Sequence, residues 1–129
     1  MWREPLNGVV SECPVSLDTG VWLLSPRRCV ESFIHAHETP SAAWGTRRVL
    51  NLPGITVPVS EMIEAMRRVA GDAAAKRVVY KPDARIQAIV AGWPVRFRTP
   101  RADAMGFKAD PDVDSVIRDY LADEGLKAG

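Results

Sequence analysis

Apolar residues recur at intervals of three and four in four stretches of the chain, and this spacing predicts four helices with one apolar face each. A further short helix is predicted where Thr99 precedes Pro100. The predicted helices cover residues 26–37, 59–70, 84–93, 100–106 and 111–124. In the first of them, Val30, Phe33 and Ile34 share a face that we expect to be buried. Ser32 and His35 lie on the opposite face, which we expect to be solvated.

Three of the other predicted helices have apolar stripes of the same kind. The residues expected to point inward are Met62, Ile63, Met66, Val69 and Ala70 in the second helix, Ile86, Ile89, Val90 and Trp93 in the third, and Val113, Val116, Ile117, Tyr120 and Leu121 in the fifth. Helix starts are predicted where a capping side chain precedes proline, at Ser25, Thr99 and Asp110, and also at Asp83. Gly71 is a predicted helix stop.

Short β-rich runs separate the predicted helices. They cover residues 19–24, 47–54 and 75–82, and each ends near a proline or glycine. Residues 1–16 are predicted to be loop and at most weak strand. Because helices and strands alternate, we expect one small α/β domain over residues 1–129, α+β-like when isolated, with about five helices and three or four short strands.

The charge balance excludes several classes of partner. The 129 residues carry 17 Lys and Arg against 16 Asp and Glu, a formal net charge of +1. Such a chain has no long-range field that would gather nucleic acid or an anionic membrane. The N-terminus lacks the features of a signal peptide, and no apolar run is long enough to span a bilayer. We therefore expect a soluble, cytoplasmic chain with neither a nucleic-acid nor a membrane partner.

The cysteines and histidines do not form a metal-binding pattern. Cys13 and Cys29 have no CxxC spacing, and His35 and His37 point about 200° apart on a helix. Cys29 and His35 lie about 9 Å apart along the same helix, too far for a nucleophile and base pair. We expect no metal site and no catalytic residue here, with His37 packed at the helix end.

Residues for dinucleotide chemistry are also missing. The glycines are scattered singly rather than in a GxGxxG loop, and no Tyr-x-x-x-Lys pair occurs. What remains is a set of aromatic and basic side chains that could line a pocket for a small acid or sugar. These candidate substrate-binding residues are Arg3, Trp22, Arg27, Trp93 and Arg96. Arginines on a surface and tryptophans in a core are the ordinary alternative for each.

Three stretches together resemble a known family. "VWLLSPRRCVESFIHAH", "RRVLNLPGITVPVSEMIEAMRRVAG" and "TPRADAMGFKADPDVDSVIRDYL" are similar, in this order, to the C-terminal region of extended short-chain dehydrogenases/reductases, the NAD-dependent epimerase/dehydratase family. The resemblance covers almost all of the chain. It implies the substrate-binding portion of an oxidoreductase acting on a small hydroxy acid or sugar acid, without the N-terminal Rossmann domain.

The resemblance also implies where the chemistry lies. NAD and the Ser and Tyr-x-x-x-Lys residues belong to the Rossmann domain of such enzymes, so no cofactor is expected in this chain and NAD is expected for the complete enzyme. The chain would pack against a Rossmann domain, or self-associate through an exposed apolar face. The alternative is an interaction or binding module that acts alone and has lost catalysis.

Overall fold

The computed structural model describes residues 2–126, and in this part of the chain short strands alternate with helices. The helices are α1 (Arg3–Leu6), α2 (Pro26–Glu38), α3 (Ser41–Trp44), α4 (Val59–Ala70), α5 (Asp72–Ala75), α6 (Ala84–Ala91), α7 (Pro100–Ala104) and α8 (Val113–Asp123). The strands are β1 (Ser11–Cys13), β2 (Gly20–Leu23), β3 (Ile55–Pro58) and β4 (Val78–Tyr80). The predicted mixed fold is confirmed, and α1, α3 and α5 are additional single-turn helices.

The strands form two separate pairs. β1 and β4 run parallel, with Glu12 opposite Val79, and β2 and β3 run antiparallel, with Trp22 opposite Thr56. Two-stranded sheets have little stability of their own. Most of the buried apolar residues belong to helices, chiefly α4 and α8.

The core lies where α4 packs against α5, α8 and β3. Its fully buried members include Ala65, Met66 and Ile117, each at 0% exposure. The predicted stripes of α4 and α8 face this core, which confirms their orientation. Gly71 ends α4 with a φ of 84°, a backbone conformation that favours glycine.

Residues 2–16 are more ordered than predicted. They form α1 and β1, and the Trp2 indole N–H donates to the Met62 carbonyl at 3.2 Å. The Asn7 side-chain amide donates to the Tyr120 hydroxyl at 3.1 Å. These contacts join residues 60 and 113 positions apart, so local periodicity could not reveal them.

The strand predicted over 47–54 is wrong. That segment is an irregular loop, and the strand that pairs with β2 is β3, which begins one residue later at Ile55. The apolar character of "RRVLNLPG" belongs to a loop that packs on the hairpin rather than to the hairpin itself.

The predicted orientation of α2 is also wrong. Val30, Phe33 and Ile34 are 57%, 68% and 54% exposed, whereas Ser32 is 6% exposed. His35 is half-buried and its Nε2 donates to the Met105 carbonyl at 2.7 Å, while His37 is exposed. Polar contacts thus hold the inward side of α2, and its apolar face has no partner among the described residues.

The apolar stripe of α6 is largely exposed as well, contrary to prediction. Ile86, Ile89 and Trp93 are 38%, 54% and 60% exposed, and Val90 is half-buried against the core. Among residues 2–126, every helix is too short or too polar to cross a lipid bilayer.

The helix starts follow the predictions in part. The Ser25 hydroxyl accepts from the Arg28 N–H, and the Asp83 carboxylate accepts from the Arg85 and Ile86 N–H groups. Thr99 is at the predicted position before α7, but its hydroxyl donates to Asp103 instead of capping the helix.

The predicted start of the last helix is displaced. Asp112, not Asp110, caps α8. Asp110 is 4% exposed, and its carboxylate accepts from the Ser25 N–H at 2.7 Å and from the Ser25 hydroxyl at 2.6 Å. Those bonds fasten the start of α2 to the segment before α8, so the Asp110 carboxylate is not available as a cap.

Candidate functional site

An open cleft of about 830 Å³ lies beside the β2–β3 hairpin, and we call it the Trp22 cleft. Its lining residues are Trp22, Pro53, Gly54, Ile55, Thr56, Arg96, Phe97, Arg98, Thr99, Pro100, Asp103 and Ala109. The hairpin and the loop before β3 form one side, and the segment that leads into α7 forms the other. A cleft of this size can hold a small polar molecule.

Contacts with the β2–β3 hairpin place residues 95–97 beside the cleft. The Thr56 hydroxyl donates to the Val95 carbonyl at 2.6 Å. Two residues on, the Phe97 ring lies edge-on to the Trp22 ring, with centroids 5.3 Å apart. Edge-to-face pairs of this kind are favourable, so the two rings support each other as one aromatic wall.

Gly54 is required by the close approach of Trp22. A Cβ atom at residue 54 would lie 2.5 Å from the Leu23 carbonyl oxygen and 2.8 Å from the Trp22 indole. No side chain fits at those distances. The glycine therefore allows the indole to lie against the backbone, where its position is fixed.

Charge enters the cleft from two arginines and one carboxylate. Arg96 and Arg98 are exposed, while Asp103 on α7 accepts from the Thr99 hydroxyl at 3.2 Å. An arginine fork binds a carboxylate through two parallel hydrogen bonds, and an indole offers a flat apolar surface to C–H groups. The arrangement can therefore bind a small acid that has an apolar edge.

The structure brings together two of the five predicted substrate-binding residues, Trp22 and Arg96, in this cleft. Trp93 precedes the lining segment and is 60% exposed. Arg3 is exposed in α1, and Arg27 lies at the contact between α2 and α8. These three residues lie outside the cleft lining.

Arg27 is held by two carboxylates of α8. Its guanidinium bonds Asp119, and it bonds Asp123 at 2.6 Å. The hydrogen bond to Asp123, opposed by partial burial and aided by both carboxylate charges, raises the pKa of Arg27 above its usual value. The guanidinium is thus already paired within this chain.

Sequence reasoning missed several residues of the cleft, chiefly Gly54, Phe97 and Arg98. One signal was present for Gly54, because a glycine next to a predicted strand marks a close backbone approach. No local signal marks Phe97 or Arg98, since their segment has neither helical nor strand periodicity.

A smaller pocket of about 290 Å³ lies on the inward side of α2. It is lined by Arg28, Glu31, Ser32, His35, Gly106, Phe107 and Lys108. Arg28 pairs with Glu31 at 2.6 Å, and the His35 ring stands edge-on to Phe107, with centroids 4.7 Å apart. No group of three or more His, Cys, Asp or Glu side chains within residues 2–126 is placed to hold a metal ion.

The longer helices do not present a dinucleotide cradle. Ser25, Asp83 and Asp112 cap α2, α6 and α8. At the start of α4, the N–H groups of Val59 and Ser60 donate to the carbonyls of Thr19 and Leu17. A pyrophosphate at a helix N-terminus accepts hydrogen bonds from free N–H groups, and at these four helices some of those groups already donate within the chain.

Comparisons with known proteins find two similar proteins that carry the same name. The chain is 48% identical over 124 residues to a D-erythronate dehydrogenase of Cupriavidus necator and 39% identical over 119 residues to one of Haemophilus influenzae. These matches cover 96% and 92% of this chain but only 38% of each relative. No model of a known protein family matches.

A solved structure has a closely similar backbone. The nucleoside-diphosphate-sugar epimerase from Agrobacterium tumefaciens superposes with a TM-score of 0.93 at 34% sequence identity. The superposition covers 99% of this chain and 38% of that protein. The chain therefore has the fold of one portion of longer proteins.

Proposed function

Since this chain corresponds to the C-terminal portion of an extended short-chain dehydrogenase/reductase, we propose that it is the substrate-binding part of an NAD-dependent oxidoreductase for a small sugar acid such as D-erythronate. The observation that carries the proposal is the Trp22 cleft, where Arg96 and Arg98 lie beside an aromatic wall. A sugar acid has the matching parts, a carboxylate and a C–H edge.

Arg96 anchors the substrate carboxylate in this proposal. A charge-assisted hydrogen bond is stronger than a neutral one, and a bidentate pair also fixes the direction of the ligand. The Trp22 indole supports the carbon chain. Arg98 also lines the cleft and supplies a second positive charge there.

NAD would be held by the remainder of the enzyme, because the 129 residues contain no glycine-rich GxGxxG loop. Bound there, NAD would supply the hydride acceptor for oxidation of the substrate alcohol. The residues of this chain would orient the acid toward it. Three residues outside the cleft remain predicted substrate contacts: Arg3, Arg27 and Trp93. They would contact the substrate only where the rest of the enzyme completes the binding site.

A chimera tests the proposal. This chain would replace the matching 38% of the Cupriavidus necator enzyme, and NAD reduction would be followed with D-erythronate as the substrate. We expect D-erythronate-dependent turnover. A folded chimera that binds NAD yet oxidises no sugar acid would refute the proposal.

Variants of the chimera then assign the carboxylate anchor. Arg96→Ala should raise KM by about ten- to a hundredfold, in line with the loss of a charge-assisted bond, and Arg96→Lys should recover part of it. Arg118→Ala is the matched control, since Arg118 is an exposed arginine on α8 outside the cleft. If the chimera does not fold, D-erythronate titration of the 129-residue chain, followed by the Trp22 indole NMR signal, is the second measurement.

A docking module that acts alone is the second candidate. It is favoured by one observation, the exposed apolar face of α2. Detection of a 129-residue protein in cells, with no longer product from the same gene, would support this alternative over the enzyme portion.

A further inference from the structure

Arg101 binds the irregular loop between α3 and β3, next to the Trp22 cleft. Arg101, on α7, donates through its guanidinium to the backbone carbonyls of Trp44 at 2.8 Å, Arg47 at 2.7 Å and Val49 at 3.2 Å. These carbonyls belong to the end of α3 and the loop that connects it to β3. Three acceptors on one side chain use most of what a guanidinium can donate.

Burial does little to hold the first part of this loop. Residues 45–49 are all exposed, and Val49 is 83% exposed. An exposed segment without apolar contacts orders only where hydrogen bonds or turns constrain it. The three bonds from Arg101, together with one from the Arg48 guanidinium to the Ser41 hydroxyl at 3.0 Å, therefore constrain its path.

The later part of the same loop lies next to the cleft and leads into it. Leu50, Asn51 and Leu52 line a cavity of about 320 Å³ that shares Trp22 and Phe97 with the Trp22 cleft. The next residues, from Pro53 onward, line the cleft itself. Residues 50–52 thus connect the segment that Arg101 binds with Pro53 and Gly54, which line the cleft.

Arg101 also connects the two sides of the cleft. Its helix, α7, contributes Pro100 and Asp103 to one side, while the loop it binds continues into Pro53 and Gly54 on the other. We propose that Arg101 is a positioning residue that sets the width of the Trp22 cleft by holding the 45–52 loop against α7. This inference rests on the proposed function only for its effect on substrate.

Two measurements test it. In the chimera, Arg101→Ala should raise the KM for D-erythronate about tenfold with little change in kcat, and Arg101→Lys should recover part of the loss because an ammonium can still reach one or two carbonyls. In the 129-residue chain, trypsin should cleave after Arg47 and Arg48 about tenfold faster in Arg101→Ala. Cleavage after Arg67 in α4 should stay unchanged, which separates local loosening from unfolding.

The outcomes distinguish this inference from the proposed function. Unchanged cleavage after Arg47 and Arg48 would overturn the positioning role whatever the kinetics. Faster cleavage with unchanged KM would also overturn it, while a raised KM in Arg96→Ala would leave the proposed function standing. If Arg101→Ala does not fold, Arg101→Gln, which keeps one donor group, must show the same two effects, and normal values there would refute the inference.

Discussion

Helices α2 and α8 have similar apolar spacing, but the apolar face of α8 is buried and that of α2 is exposed. In α8 the stripe that contains Val116 and Ile117 is buried against α4. In α2 the stripe that contains Phe33 and Ile34 is more than half exposed, and the helix is held by its polar side instead. The same pattern therefore leads to a core contact in one region and to an uncovered surface in the other.

The difference shows what an amphipathic pattern predicts. It indicates that a helix needs an apolar partner, because leaving such a face in water costs free energy. It does not indicate that the partner belongs to the same chain. Since this chain spans 38% of its curated relatives, the α2 face marks the region where the described fold is least self-sufficient.

The largest expected effect comes from matched isoleucines in the two helices. Ile117→Ala should lower the free energy of unfolding by about 3 kcal/mol, because it removes buried methyl groups and leaves a cavity. Ile34→Ala, at a side chain that is 54% exposed, should change it by about 0.5 kcal/mol or less. Urea unfolding of the two variants measures both values. Equal losses would mean that the α2 face is covered in solution.

Helix starts could be predicted from the sequence because capping is local. Ser25 and Asp83 lie within three residues of the N–H groups that they accept from. The orientation of α2 could not be predicted, since it depends on Asp110 and Met105, which are 85 and 70 residues away from their partners in the α2 region. The same limit applies to His35, whose surroundings come from another part of the chain.

The polar side of α2 gives the next effect. Asp110→Ala should lower the free energy of unfolding by about 2 kcal/mol, because it leaves the buried Ser25 N–H and hydroxyl without their partner. Asp123→Ala is the control, since it removes only one exposed partner of Arg27 and should cost a few tenths of a kcal/mol, about the value of a surface pair. A loss in Asp110→Ala as small as in the control would show that these buried bonds do not hold α2.

The uncovered face itself should drive self-association of the isolated chain. We expect concentration-dependent sedimentation at micromolar concentration, and Phe33→Ser should weaken the association about tenfold, which corresponds to about 1.4 kcal/mol. The melting temperature of the monomer should not fall, because Phe33 is 68% exposed. A monomer at every concentration, in the wild type, would contradict this prediction.

In the candidate site, too, some residues could be proposed from the local sequence, whereas their contacts with one another depend on residues far apart in the chain. Trp22 and Arg96 could be proposed from residue type alone, whereas the close approach of the Trp22 indole to Gly54 was not predicted. Their assembly with Phe97 depends on the bond between Thr56 and Val95, 39 residues apart. The role of Arg101 was invisible to periodicity, because its acceptors are backbone carbonyls that have no sequence signature.

The smallest expected effect compares two aspartate caps, Asp112 on the buried α8 and Asp83 on the largely exposed α6. Asp112→Ala should lower the free energy of unfolding by about 1 kcal/mol, since fraying of α8 reaches the core, whereas Asp83→Ala should cost about half as much or less.

The loss in Asp112→Ala should also depend on pH in a definite direction. Hydrogen bonds from the Ser115 hydroxyl and then from its N–H lower the pKa of Asp112. A folded pKa below the unfolded one means that the carboxylate stabilises the fold above the unfolded value of about 4, and that this contribution is lost as the pH falls through the folded pKa. Wild type and variant should therefore converge in stability toward acid pH in urea titrations. A difference in stability between wild type and Asp112→Ala that widened on acidification would mean that Asp112 stabilises α8 in its protonated form. In the comparison of the two caps, equal losses of unfolding free energy in Asp112→Ala and Asp83→Ala would mean that α6 is as firmly packed as α8.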